Sequence, residues 1–142
     1  MLAVDVSTKA LEKAQLNTQL HNLNIDFKVL DILKFNNSNN LPNFDIIVSN
    51  PPYVCKSEIS LDSNIYYEPE DAIFVPDDNP LVFYKSIFLF AKKHLNKDGK
   101  LFLEINPNLI SDLLILLSEY EYKNIKIHKD FYGKKRFIVV YS

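Results

Sequence analysis

Four consecutive residues, Asn50, Pro51, Pro52 and Tyr53, close the mostly apolar run Phe44–Val48. They are an unusual end for a buried strand. A plain turn favours Gly or Asp-Gly, whereas paired prolines make a stiff corner without backbone N–H groups. Asn50 offers a side-chain carbonyl and the prolines offer backbone carbonyls, so the corner holds hydrogen-bond acceptors at fixed positions. Acceptors suit a substrate that presents N–H donors, namely an amino or amide group. Tyr53 adds a flat face on which a planar group can stack. A planar group held in this way is poised to react through its nitrogen. The plainer alternative is a rigid loop with no ligand.

Other polar residues also stand at strand ends. Asp5 ends the short apolar stretch Leu2–Val6, Asp31 closes 26–31, and Glu104 lies near the end of 100–105. Open parallel sheets bind ligands beyond the carboxyl ends of their strands. Any one of these residues could simply face water. Asp5, Asp31 and Asn50 along one rim say more. An acid ending the second strand is the usual partner of a ribose hydroxyl, and an acid one strand over can receive an adenine amino group. Together they outline a nucleoside-shaped pocket.

The elements that must carry these residues can be read from periodicity. Strands are expected at 2–6, 26–31, 44–48, 100–105, 124–128 and 137–141. Ser7 caps a helix over 8–20 with Ala10, Leu11 and Ala14 inward. Asn79-Pro80 and Asn106-Pro107 each pair a cap with a first-turn proline. They open helices with inner stripes Tyr84, Ile87, Phe88, Ala91, Leu95 and Ile110, Leu113, Leu114, Leu117 respectively. Residues 54–78 read as irregular, 36–40 as a polar asparagine-rich loop, and Gly133 as the turn of a closing hairpin. Alternating strands and helices followed by a hairpin predict an α/β doubly wound sheet, mostly parallel with one antiparallel strand. The 142 residues read as one domain without repeats, long enough to bury roughly 68% of the unfolded surface.

Composition narrows the function classes. A formal charge of −2 gives no global pull toward nucleic acid or anionic lipid, although Lys134, Lys135 and Arg136 adjoin. Two glycines, Gly99 and Gly133, leave no Gly-rich phosphate loop. One cysteine and histidines scattered at 21, 94 and 128 argue against a zinc site and a disulfide framework. Cys55 reads as a small packing residue. No basic, apolar leader opens the chain and no apolar run reaches the ~20 residues of a spanning helix, so a cytoplasmic protein is expected.

Asn-Pro-Pro-Tyr after a buried strand resembles the signature of S-adenosylmethionine-dependent amino methyltransferases. Further stretches resemble one branch, the N5-glutamine methyltransferases of peptide chain release factors. These are AVDVSTKALEKAQLN (3–17), YEPEDAIFVPDDNPLVFYKSI (67–87), LFLEIN (101–106) and KDFYGKKRFIVV (129–140), so the resemblance runs along essentially the whole chain. It implies a Rossmann-like class I methyltransferase sheet with S-adenosylmethionine as methyl donor and a release factor as protein substrate. Asp5 would hold the cofactor's ribose and Asp31 would contact its adenine. Asn50, with the carbonyl of Pro51, would hold the glutamine amide beside Pro52 and Tyr53. Glu68 and Pro69 match a segment lining the same region.

The departures are as specific. The dinucleotide-type spacing places a Gly-rich turn about 20 residues before the ribose acid, and counting back from Asp5 passes Met1. The family's first strand and Gly-rich loop are therefore expected to be missing, which would make 1–142 an N-terminally truncated catalytic domain. Asn106 stands where glycine is common in the family. Two alternatives stay open: a nucleic-acid amino methyltransferase of the adenine-N6 type, disfavoured by the negative charge, and a non-catalytic remnant. Without a Gly-rich turn nothing fixes the methyl donor opposite Asn50. The 142-residue chain alone should thus bind S-adenosylmethionine weakly or not at all, and titration calorimetry giving a micromolar one-to-one complex would contradict this.

Overall fold

The computed structural model describes residues 1–35, 41–59 and 64–142, the side chains of residues 64 and 66 excepted; the asparagine-rich tract at 36–40 lies outside them. Two compact units form, Met1–Asn39 and Asn40–Ser142.

In the first unit, strand β1 (Leu2–Asp5) leads through helix α1 (Thr8–Leu20) to strand β2 (Asp26–Val29). The Ser7 hydroxyl accepts the Ala10 N–H at 3.2 Å, so the helix begins where the cap demands. β1 and β2 pair in parallel, with Leu2 opposite Asp26 and Asp5 opposite Val29. The expected inner face of α1 is corrected at one position: Leu11 and Ala14 are half-buried, but Ala10 is exposed. Burial here is thin. Leu30 is the one buried hydrophobic residue described in the unit, while Val4, Val29, Leu16 and Leu20 remain exposed.

The second unit is built on a four-stranded sheet in the order β3 (Phe44–Ser49), β6 (Leu95–Glu104), β8 (Lys135–Tyr141), β7 (Asn124–Lys129). β3 and β6 run parallel, and β8 is antiparallel to both of its neighbours. The expected single antiparallel strand is therefore β8. Register sets Leu101 beside Val140 and Leu103 beside Ile138, all 2% exposed or less. Because strand side chains alternate faces, Phe102 and Phe137 point the other way together with Val48, which is 73% exposed. The stretch expected to be irregular contains a short parallel pair, β4 (Val54–Cys55) with β5 (Phe74–Val75).

Helix α2 (Val82–His94) starts two residues after the Asn79-Pro80 pair and buries Tyr84, Ile87, Phe88, Phe90, Ala91 and His94. Leu95, expected on that helix, instead begins β6. Phe88 meets the rings of Tyr120 and Tyr122 edge-on at 6.2 and 6.0 Å, and the Tyr122 hydroxyl donates to the Phe88 carbonyl. Both glycines are explained by backbone. A Cβ on Gly99 would lie 2.8 Å from the Asn96 carbonyl, and Gly133 takes φ +80 in the hairpin turn.

Helix α3 (Ile110–Glu119) buries Leu113, Leu116 and Leu117, whereas Leu114 is 39% exposed. Leu113 and Leu117 are buried as expected, and Leu116 takes the inward place expected of Leu114; a 3-10 turn, Pro107–Leu109, separates the Asn106 cap from the helix proper. Leu116→Ala should therefore cost about 2–5 kcal/mol by cavity formation, and Leu114→Ala about 1 kcal/mol or less. Urea unfolding of the two variants checks this, and the reverse order would contradict the helix's inward face.

Candidate active site

The sequence places its candidate residues at strand ends, and each unit bears this out separately. In the first, Asp5 ends β1 and Asp31 follows β2 by two residues. Each carboxylate is set by its own turn: Asp5 accepts the Ser7 N–H at 2.8 Å, and Asp31 accepts the Leu33 N–H at 3.0 Å. Lys34 lies 3.1 Å from the second oxygen of Asp31. Partial desolvation opposes ionisation of Asp31, but the Lys34 ammonium and the Leu33 N–H outweigh it and hold the carboxyl below its ordinary value. Asp31 thus stands as an anion, and both acids lie at or just beyond the carboxyl ends of neighbouring parallel strands.

In the second unit, Ser49 ends β3 opposite Leu103 of β6, which brings the Asn50–Tyr53 corner level with Glu104. Asn50 is exposed, Pro51 is buried, and Pro52 and Tyr53 are half-buried. The Tyr53 hydroxyl donates to Glu104 Oε1 at 2.6 Å, a short charge-assisted bond. Tyr53 is thus anchored at its hydroxyl, with its ring half-buried. Glu104 is anchored in turn, since its carbonyl accepts the Tyr84 hydroxyl at 3.2 Å. A cavity of about 420 Å³ opens beside the corner, lined by Val48, Asn50, Phe102, Glu104, His128 and Phe137 among others.

Two residues that sequence reasoning passed over, Glu58 and Asn106, also fasten the corner. Asn106 Nδ2 donates to the Tyr53 carbonyl at 3.2 Å and to Glu58 Oε2 at 3.1 Å. Glu58 also accepts the Cys55 N–H at 3.3 Å. The sequence signal for Asn106 was its place before a proline, which predicted only a cap. It does cap, accepting the Asn108 N–H at 3.0 Å.

Glu68 and Pro69 lie exposed between two 3-10 turns, Asn64–Tyr67 and Glu70–Ala72, and among the described residues no hydrogen bond or ion pair joins Glu68 to the corner. Cys55 is buried, and that burial, followed by Glu58 and Asp77, pushes its thiol up and keeps it protonated. It packs, as expected. Among the described residues no cluster of His, Cys, Asp and Glu gathers to hold a metal ion, and no helix is long and apolar enough to cross a membrane.

Comparison with solved structures defines the class. The chain superimposes on a methyltransferase from Pyrococcus furiosus with a TM-score of 0.69 at 20% identity, covering 99% of this chain and 61% of that one. It also matches the N-methyltransferase NodS from Bradyrhizobium japonicum in complex with S-adenosyl-L-homocysteine, at TM-score 0.55 and 15% identity, over 99% of this chain and 64% of that one. The fold is the α/β, Rossmann-like class I methyltransferase fold.

Sequence comparison is more particular. The family model described as "Methyltransferase small domain" matches residues 1–66. A release factor glutamine methyltransferase from Flavobacterium psychrophilum is 42% identical over 142 residues, covering 99% of this chain and 49% of that protein. The resemblance carried by the motifs thus extends along the chain, which spans about half the length of the curated relatives it matches.

The Tyr53–Glu104 bond can be titrated. Burial first, then the Glu104 carboxylate, pushes the phenol up to about 12, with Arg136 acting the other way. Because the folded value lies above the unfolded one, Tyr53 favours the fold below pH ~10, and this contribution fades as pH rises toward 12. Glu104→Gln removes the anion and should bring the phenol down toward the ordinary tyrosine value, with burial keeping it somewhat above. Absorbance titration of phenolate is the measurement, and an unchanged Tyr53 titration in the variant would contradict the bond.

Proposed function

We propose that this chain carries the catalytic corner of an S-adenosylmethionine-dependent N-methyltransferase that modifies the side-chain amide of a glutamine in a peptide chain release factor. The observation that carries the reading is the 42% identity to a protein of that activity along 99% of the chain, with the acceptor-rich corner Asn50–Tyr53 at a parallel strand end. Such a protein works in the cytoplasm, where release factors act, and needs no direct hold on nucleic acid.

The donor set of the first unit fits an adenosine group. Asp5 is exposed, with one oxygen committed to its own turn, and is suited to accept from ribose hydroxyls. Asp31 is suited to accept from the exocyclic amine of adenine. When bound, S-adenosylmethionine supplies an electrophilic methyl group on sulfonium sulfur. The corner's part is to present the nucleophile. Asn50 Oδ1 and the Pro51 carbonyl accept the two N–H bonds of the glutamine amide, which turns its nitrogen lone pair toward the methyl carbon. The bound cofactor would give its methyl group to that nitrogen, the C–N bond forming as the C–S bond breaks, and would leave as S-adenosylhomocysteine while the amide proton goes to water. Positioning and polarisation supply the acceleration, and no strong base takes part. Glu68 and Pro69 border the substrate on this reading.

The test is methyl transfer by the full enzyme from tritiated cofactor. Release factor should be labelled at glutamine and DNA oligomers should not, whereas preferential labelling of adenine would move the assignment to a nucleic-acid amino methyltransferase. In the same assay Asn50→Ala should cost about 2–4 kcal/mol of transition-state stabilisation, appearing in kcat more than in cofactor affinity.

A further inference from the structure

We propose that Asn106 and Glu58 act as a positioning pair that fixes where the Asn50–Tyr53 corner presents its acceptors; this rests on the glutamine-amide reading above. The proline rings lock φ at 51 and 52, so the corner moves nearly as one piece. Its placement is then decided by how Tyr53 is held. One strand end holds Tyr53 at two points: Glu104 takes the hydroxyl at 2.6 Å, and Asn106, two residues on, gives Nδ2–H to the carbonyl at 3.2 Å.

Asn106 is 5% exposed and its amide is fully used. One Nδ2 hydrogen goes to Tyr53, the other to Glu58 Oε2 at 3.1 Å, and Oδ1 accepts the Asn108 N–H at 3.0 Å. A flipped amide would set its oxygen against a carbonyl and a carboxylate, so the partners permit one orientation. Glu58 supplies the counterpart. Its Oε2 also accepts the Cys55 N–H at 3.3 Å, and its Oε1 accepts Asn108 Nδ2 at 3.2 Å. A cap on the 3-10 turn Lys56–Glu58 needs the Cys55 contact alone. The two amide donors reach Glu58 from 48 and 50 residues away along the chain, and they tie the segment after the corner to the segment after β6. A glycine at 106 has no side chain to make these bonds.

Asn106→Asp keeps the shape and removes both donated bonds, and Glu58→Gln keeps one acceptor. In the full enzyme, Asn106→Asp should lower kcat for glutamine methylation at least 20-fold at pH 8 while KM for the release factor changes less than 3-fold. That loss should shrink as pH falls toward 6. The introduced carboxyl, facing Glu58, then takes up a proton and donates again. Glu58→Gln should give a smaller, pH-independent loss of about 3- to 10-fold. A merely structural role would lower thermal stability without a pH-dependent kcat.

An independent readout is amide hydrogen exchange in the 142-residue chain: both variants should speed exchange at Cys55 at least tenfold and leave Leu101 and Leu103 unchanged. Wild-type kinetics in both variants, or unchanged exchange at Cys55, overturns the pair. If the wild type methylates no glutamine yet Cys55 exchange rises in both variants, the glutamine reading fails and the clamp on the corner stands.

Discussion

The hydrogen bond from the Tyr53 hydroxyl to Glu104 is the constraint on which the second unit's functional end depends. It joins the loop leaving β3 to the last residue of β6, so two parallel neighbours end in a shared side-chain contact as well as a shared ladder. A bond this short to a half-buried carboxylate is worth more than a neutral pair, because the donor faces a full charge in reduced dielectric. Its footing is firm. The Glu104 carbonyl takes the hydroxyl of fully buried Tyr84, and the next N–H, of Ile105, donates to the Arg136 carbonyl at 2.8 Å. The loop is thereby fastened to helix α2 and strand β8, the least yielding parts of the unit. Each large side chain buried there, such as Phe88 or Leu101, contributes about 1.5–3 kcal/mol of transfer free energy.

Much of this was legible in the sequence, and what was not shares a physical reason. Strands with alternating burial and helices with an apolar stripe announce themselves through local periodicity, so their existence and order follow from 142 letters. Helix α1 begins at the residue its cap predicts, because Ser7 makes its bond within one turn. On α3, Leu113 and Leu117 face inward as periodicity predicts, but Leu116 is buried in place of Leu114, a choice that a run of leucines at helical spacing does not settle. β4 and β5 escaped notice because two residues have no period, and their pairing is fixed by partners about twenty residues apart. Glu104 and Asn106 meet Tyr53, and Asn106 meets Glu58, each across about fifty residues. A polar residue's distant partner leaves no mark in the sequence around it.

The two units hold their candidate residues by different means. In the second, the corner is placed by packing and by tertiary hydrogen bonds. In the first, β1 and β2 form a two-stranded parallel ladder whose apolar side chains, Val4 and Val29 among them, stay exposed. Parallel strands are ordinarily covered on both faces, and a two-stranded sheet draws little stability from itself. Asp5 and Asp31 are nevertheless oriented, because each binds a backbone N–H two residues ahead. Such turns persist with little help from a core. Asp5 so fixed keeps its second oxygen turned from that bond, whereas the second oxygen of Asp31 is shared with Lys34.

The contacts around the corner also limit what it can do chemically. The acid nearest to it, Glu104, has one oxygen engaged by a phenol whose pKa is pushed up to about 12, so the carboxylate is already receiving a proton donor that does not leave. A base in that state is poorly placed to abstract a proton from a bound amide. Glu58, which also borders the corner, has its oxygens taken by the Cys55, Asn106 and Asn108 N–H groups, and Cys55 is kept as a thiol by burial. What remains at the corner is a set of carbonyl acceptors without titratable character, supplied by Asn50 and the two prolines. Under the proposed reaction that is the appropriate equipment. An amide nitrogen is a weak nucleophile because its lone pair is delocalised into the carbonyl, and acceptors on its N–H bonds, held so that the nitrogen must pyramidalise toward the methyl carbon, raise its reactivity without a base. Rigidity is then the property the corner most needs, because acceptors that followed the amide as it moved would stabilise the planar ground state equally well.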